Sequence, residues 1–327
     1  MLNYIVRRLG YGVLILIGVN LLTFVLFFTV NTPDDMARLN IGGKRVSQEQ
    51  IDKWKHERGY DKPLYWNEKV QGSAKLTDTI VWERSISLFK LEFGNSDAAQ
   101  AMNIGYEIKT RMGVSLQLAI PIFVLQVIIS TAFAVLLAYF RNTRIDFWGV
   151  VLCVLLLSIS SLFYIIVGQL FFSRILRVVP MSGYAPGLDA VKFLLLPVGL
   201  SLLSRLGSEA RLYRAMLLEE VGKDYVRTAR AKGLAEEVVL FKHVLRNALI
   251  PIITSAGAYL PYVFLGSLVF ESFFGIPGLG TFVIEAIQGQ DFAIVRSMVF
   301  LGAVLYILSN LLIDVAYTWI DPRVRLA

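Results

Sequence analysis

Four stretches of this chain, residues 9–32, 112–140, 147–173 and 247–270, contain no charged side chain. Each is at least as long as the roughly 20 residues a helix needs to cross a bilayer. In hydrocarbon every backbone polar group must be satisfied within the segment, so such runs are predicted to be helices. Two shorter apolar runs are also read as spans: 193–204, which can start at Ala190 and run on through Arg205, whose stem can reach the headgroup region, and 297–313, close to spanning length with Asp314 near its end. The expected fold is therefore an all-α membrane protein with six transmembrane helices. Composition agrees, with 17% charged residues against about a quarter in soluble chains.

Basic residues set the expected orientation. Arg7 and Arg8 precede the first span, Arg141 and Arg144 separate the second and third, and Arg323 and Arg325 follow the last. A basic run extends from Arg205 to Arg246, whereas residues 271–291 hold no Lys or Arg. Both termini are expected in the cytoplasm. Residues 31–111 carry both signs of charge and scattered aromatics such as Trp54, Tyr60, Trp66 and Trp82; a loop of that length is translocated largely regardless of charge. It is predicted to be a small folded extracytoplasmic cap. The expected organisation is a first helix over 1–30, the cap over 31–111, and a five-helix core over 112–327 with a cytoplasmic loop at 205–247. The first apolar run is about twice a signal-peptide core and no small-residue cleavage site follows it, so it is expected to stay as an anchor.

The net charge of +7 reads as topology and contact with anionic membrane lipid, with no nucleic acid as partner. No catalytic residue and no metal site is expected, because only His56 and His243 are present and His56-Glu57 lacks a second zinc-binding His. Cys153 is the only cysteine, so no internal disulfide can form. Gly43-Lys44 does not complete a phosphate-binding loop: Arg45 follows it and Arg38 occupies the first glycine position.

Residues 224–251 form a charged insert between apolar runs. Gly222 and Gly233 suit left-handed helix closures and Asp224 suits an N-cap, which leaves about two turns of helix. A helix that short is unstable alone in water. Tyr225, Thr228, Ala229 and Lys232 share one side at helical spacing and are expected to face a partner's groove. Arg227 and Arg230 are expected to meet acidic groups of that partner or lipid phosphates. The competing reading is an amphipathic helix resting on the bilayer. A second helix is expected to start at Glu236 and Glu237 and to end near Lys242, His243 and Arg246.

Polar groups within spans are costly unless partnered. Gln126, Tyr164, Gln169, Tyr259 and Tyr262 are candidates to line a translocation path, with Asn20 and Asn310; helix–helix hydrogen bonding is the alternative. Pro121, Pro197 and Pro261 interrupt spans, and no acid is expected near a span centre. An ion-gradient-driven secondary transporter, the main alternative function, usually has buried acids and broken helices. A membrane scaffold is a third reading.

The segment 225–234 resembles the cytoplasmic loop of the permease subunits of ABC importers, in the dipeptide and oligopeptide subfamily. Arg227, Thr228 and Ala229 hold the place of its Glu-Ala-Ala triplet and Gly233 that of its glycine. The opening 1–28 with Arg7-Arg8, the stretch Phe93-Gly94-Asn95-Ser96, the run from Glu271 to Gly280, and the ending from Asp321 to Arg325 are similar to subfamily motifs. Ser161 departs from it where a proline is usual, as does Gly113-Val114 at the second span. The resemblance implies a six-helix type I importer permease that couples to a cytoplasmic ATPase through residues 224–233, with Gly233 its tightest constraint. It implies further partners: a second homologous permease, two ATPase subunits that bind ATP and Mg, and an extracytoplasmic solute-binding protein. This chain would bind no cofactor itself and would reside in a bacterial-type inner membrane.

Overall fold

A computed structural model of the chain describes residues 2–42, 46–98 and 101–320. The charges at Arg323 and Arg325, the 321–325 motif, and the Gly43-Lys44-Arg45 stretch lie outside the described residues. Among those described, five helices are long and apolar enough to cross a membrane: Val6–Val30, Ile104–Tyr139, Gly187–Val221, Glu236–Gly257 and Phe292–Val315. Two bent pairs add to them, Arg144–Ser158 with Ser161–Ile175 and Leu260–Phe274 with Leu279–Gln288. The six predicted spans correspond to the five helices and the first bent pair. The predicted fifth span, 247–270, also extends into the first limb of the second bent pair, and only the limb Leu279–Gln288 belongs to no predicted span.

The chain divides into two compact units, residues 1–113 with 281–308 and residues 114–280 with 309–327. The first holds the N-terminal helix and the 31–111 insert. Two capping boxes start the insert's helices. Thr32 and Asp35 open Pro33–Ile41, and Ser47 and Gln50 open Gln48–Arg58, which closes on left-handed Gly59. Each box satisfies helix-end amides reciprocally. Phe24, Phe28, Met36, Ile51, Trp54, Tyr60 and Ile80 bury their side chains together as the core of this unit. Asn20, a path candidate by sequence, is instead buried against Ser85, donating to its backbone carbonyl at 2.8 Å.

The Phe93-Gly94-Asn95-Ser96 motif delivers Asp97 to the start of the last helix. Asp97 accepts the amide of Ala293 at 3.1 Å and the hydroxyl of Tyr60 at 2.8 Å. Asp291 accepts the amides of Ile294 at 3.1 Å and Asp97 at 3.2 Å. Two carboxylates thus occupy the positive end of one helix dipole. Burial pushes the Asp97 carboxyl above the usual carboxylate range, against the pull of the Tyr60 hydroxyl and the Arg296 charge.

The second unit is built on the helix Ala190–Val221. Gly207 lets it approach Arg144–Ser158 so closely that a Cβ there would collide with the backbone carbonyl of Cys153. Small residues at such crossings let membrane helices pack backbone to backbone. Arg214 clamps the same pair of helices through Asp146, with both guanidinium bonds under 2.9 Å (2.8 and 2.6 Å).

Two predicted continuous spans are broken. The third bends by 89° between Ser158 and Ser161. Ile159 is extended, Ser160 caps the next helix by accepting the Phe163 amide, and the Tyr164 hydroxyl donates back to the Leu156 carbonyl at 2.9 Å. Hydroxyls thus satisfy the backbone freed at the break, where no proline is present. The fifth run is divided into Leu245–Gly257, Leu260–Leu265 and Leu268–Phe274. Gly266 (φ +75°) turns the chain and Ser267 caps the piece that follows.

Glu271 anchors the turn that comes next. It is fully buried; its carboxylate accepts the amides of Gly280 at 2.7 Å and Ser267 at 3.3 Å, while Ser115 accepts that of Leu279 at 2.8 Å. Gly266, Gly278 and Gly280 wrap this carboxylate so tightly that a Cβ at any of them would overlap it. The glycine-rich run is therefore a backbone cradle for an internal acid.

Candidate functional site

The predicted docking helix forms as Asp224–Ala231. Its N-cap is Lys223, so Asp224 occupies the first helical turn, where its charge meets the dipole. Gly222 is not left-handed but continues the helical conformation (φ −75°). Gly233 is left-handed, at φ +77°. The Gly233 amide donates to Arg230 at 2.9 Å and the Leu234 amide to Ala229 at 3.5 Å. That pair of bonds is the Schellman closure, with Gly233 at its left-handed position.

The faces of this helix differ from the expected arrangement. Val226 and Ala229 point inward and pack with Val221, Val239, Leu240 and Val244. Ala229 therefore supports the helix from beneath instead of facing outward. Tyr225 is half-buried on the same core, and its hydroxyl donates to Glu220 at 2.6 Å. Arg230 is taken up internally by Glu236, through bonds of 3.0 and 2.5 Å that brace the turn. The outward surface consists of Asp224, Arg227, Thr228, Ala231 and Lys232. Arg227 is 75% exposed and reaches only Asp224, at 3.5 Å. Spacing alone grouped Ala229 with the outer residues because its apolar partners lie in the following helix. That helix runs from Glu236 through a π-helical stretch, Val239–Val244, to Gly257. Lys242, His243 and Arg246 lie along it and not at its end.

The second feature is a cavity of about 580 Å³ within the second unit. Three of the candidates for a translocation path, Gln126, Tyr259 and Tyr262, line it. Tyr164 and Gln169 do not. Tyr164 bridges the helix break, and the Gln169 amide donates to the carbonyls of Met181 and Phe273, both at 3.1 Å. Asn310 is half-buried and is not part of the lining. The cavity wall adds Arg205, Glu209 and Tyr213, which the sequence reading missed.

Arg205 is not extended toward a headgroup region. Its guanidinium lies over the Tyr259 ring at 4.1 Å and meets Glu209 at 3.3 Å. Glu209 is buried and also accepts from Ser130 at 3.4 Å, which in turn accepts from Gln126 at 2.8 Å. The i, i+4 spacing of Arg205 and Glu209 was the available signal. It was hidden because the span was taken to end at Arg205, whereas the helix continues to Val221. Buried acids, Glu209 and Glu271, and broken helices are thus both present, so these two features do not separate this chain from an ion-driven carrier.

Comparison with known proteins adds sequence relationships to this geometry. Residues 130–326 match the family described as binding-protein-dependent transport system inner membrane component. Residues 1–87 match the corresponding N-terminal membrane component family. A Brucella abortus protein provisionally named as the permease of a peptide transport system is 33% identical over 326 residues, covering 98% of each chain. The di/tripeptide transport system permease protein DppB of Pseudomonas aeruginosa is 31% identical over 345 residues, and the dipeptide transport system permease protein DppB of Escherichia coli 30% over 353 residues. Each of these covers 99% of both chains.

Proposed function

This chain belongs to the family of binding-protein-dependent transport system inner membrane components, and from that membership we propose that it is the permease subunit of an ATP-driven importer of peptides. It forms half of the translocation path and couples to a cytoplasmic ATPase through residues 224–233. The observation that carries the coupling reading is a two-turn helix held from below by Val226 and Ala229 and closed by left-handed Gly233. It leaves Asp224, Arg227, Thr228 and Lys232 outermost.

The partners follow from that reading. A second homologous permease completes the path, two ATPase subunits supply ATP and Mg chemistry, and an extracytoplasmic binding protein delivers the solute. The chain contributes a path and a mechanical link, with no covalent chemistry. Residues 31–111 then face outward and both termini face the cytoplasm, in keeping with the basic run from Arg205 to Arg246. An ion-gradient-driven carrier shares the broken helices and buried acids, but family membership favours the ATP-driven reading.

Two measurements test the coupling segment. A Cβ at Gly233 meets open space, so the cost of Gly233→Val is that of the left-handed backbone itself, about 1–2 kcal/mol or more for a β-branched residue. The expected outcome is inserted permease and assembled complex, but ATP hydrolysis that no longer drives uptake in proteoliposomes. Normal uptake would remove the turn from the coupling path. Tyr225→Ala takes out the half-buried ring and the bond to Glu220, and is expected to weaken co-purification of the ATPase several-fold; unchanged recovery would place the contact elsewhere.

A further inference from the structure

Two residues that line the 580 Å³ cavity each carry a buried polar atom without a hydrogen-bond partner. The Tyr213 hydroxyl and the Gln126 side-chain carbonyl oxygen are buried and have no hydrogen-bond partner; Tyr213 is 1% exposed and Gln126 4%. Buried polar atoms are overwhelmingly paired in folded proteins, and leaving one unpaired costs about 1–3 kcal/mol. Beside them the same wall carries a fixed cation, Arg205, and a fixed anion, Glu209. The rest is largely apolar, with Leu118, Ile122 and Phe270 among its residues.

We infer that this cavity is a binding site for the backbone of a short peptide in transit, with Arg205 taking its terminal carboxylate and Glu209 its terminal ammonium. The Gln126 oxygen then accepts an N–H of the peptide and the Tyr213 hydroxyl bonds its carbonyl. The inference rests on the transport reading above and names the ligand chemistry within it.

Three features fit that ligand over others. Arg205 and Glu209 are one turn apart on a helix, with Cβ atoms about 5–6 Å apart, so their side chains can part from their 3.3 Å contact to meet the opposite charges that a dipeptide holds roughly 7 Å apart. The volume lies within the range of about 300–1,000 Å³ typical of small-molecule sites, which suits a short peptide. A dipolar ligand also exchanges one ion pair for two, whereas a purely anionic or cationic ligand would strand Glu209 or Arg205 as an uncompensated charge. The apolar wall accepts varied side chains without reading them. Recognition is thus directed at what all short peptides share.

The test uses the complete transporter with its ATPase partners in lipid nanodiscs, without the binding protein, and measures equilibrium binding of dialanine. Its N-acetylated, C-amidated counterpart serves as the uncharged comparison. Dialanine is expected to bind and its counterpart not. Tyr213→Phe removes only a hydroxyl that makes no bond, so folding is unaffected, and it should weaken dialanine binding about 3–10-fold. Glu209→Gln should abolish the preference for a free ammonium terminus, seen by comparing dialanine with N-acetyl-alanyl-alanine. Equal binding of all ligands with Tyr213→Phe unchanged would overturn the inference and leave the cavity filled by water only. ATP-dependent dipeptide uptake by the unaltered complex, measured in parallel with its binding protein, checks the transport reading separately. Uptake without the binding preference overturns the site alone, and absence of uptake overturns the transport reading.

Discussion

Replacing Glu271 with alanine should leave little folded permease in the membrane. The carboxylate accepts the amides of Gly280 and Ser267 in a site with no exposure to solvent. Removing it leaves the buried N–H of Gly280 and the part-buried N–H of Ser267 unpaired, at about 1–3 kcal/mol for each that water does not reach. The void bounded by Gly266, Gly278 and Gly280 adds a further cost. The total, roughly 2–6 kcal/mol from these unpaired groups alone when water reaches neither, is a large part of the 5–15 kcal/mol that typically separates folded from unfolded protein. Glu271→Gln keeps the shape but replaces an acceptor oxygen with a donor, so it should rescue only partly. Thermal midpoints of the detergent-solubilised chain, read by fluorescence-detected size exclusion, would show this order. A midpoint for the alanine variant equal to that of the original chain would remove Glu271 as the anchor of the turn.

The second large effect is expected at Gly207. A Cβ there overlaps the Cys153 carbonyl and lies 3.1 Å from the Leu157 amide nitrogen. Both are backbone atoms of the helix Arg144–Ser158 and cannot swing aside as a side chain would. In Gly207→Val the helices Arg144–Ser158 and Ala190–Val221 must separate, at about 1–3 kcal/mol or more for overpacking. Separation also draws Arg214, two turns further along, from buried Asp146. Breaking such a buried pair costs about 3–5 kcal/mol. Gly199→Ala in the same helix is the control, because its Cβ would meet nothing within 4 Å. It should be neutral or stabilising by about 0.5–1 kcal/mol. Equal stability of both variants would mean that the two helices do not rely on the close approach at Gly207.

Much of the fold was legible because hydrocarbon imposes a length and a composition on anything that crosses it. The runs at 9–32 and 112–140 each correspond to one long helix. Where the reading failed, an apolar run concealed a change of direction, made without proline between Ser158 and Ser161 and at Gly266. Ser160 and Tyr164 break the third run with hydroxyls, and Gly266 breaks the fifth with a positive φ. Neither leaves a mark in hydropathy. Gly233 was readable as a left-handed closure since local bonds alone determine it. Gly222 was not, because the chain there has no need to reverse. The inward turn of Ala229 depends on Val239, Leu240 and Val244, residues that a local periodicity cannot include. The cavity charges were missed for a related reason. Arg205 looked like the end of a span, and only the tertiary setting of Tyr259 and Glu209 shows why a cation is held there.

The cap on the last helix also has a dimension in time. Asp97 accepts the amide of Ala293 across 196 positions of sequence, and at translation rates of about 5–20 residues per second that interval is roughly 10–40 s. Through all of it the ribosome has delivered the carboxylate but not the amide it will hold. This bond therefore cannot form before residue 293 has been made. A nascent chain arrested before that point carries an Asp97 carboxylate without the helix-end amide of Ala293 that it caps in the folded protein.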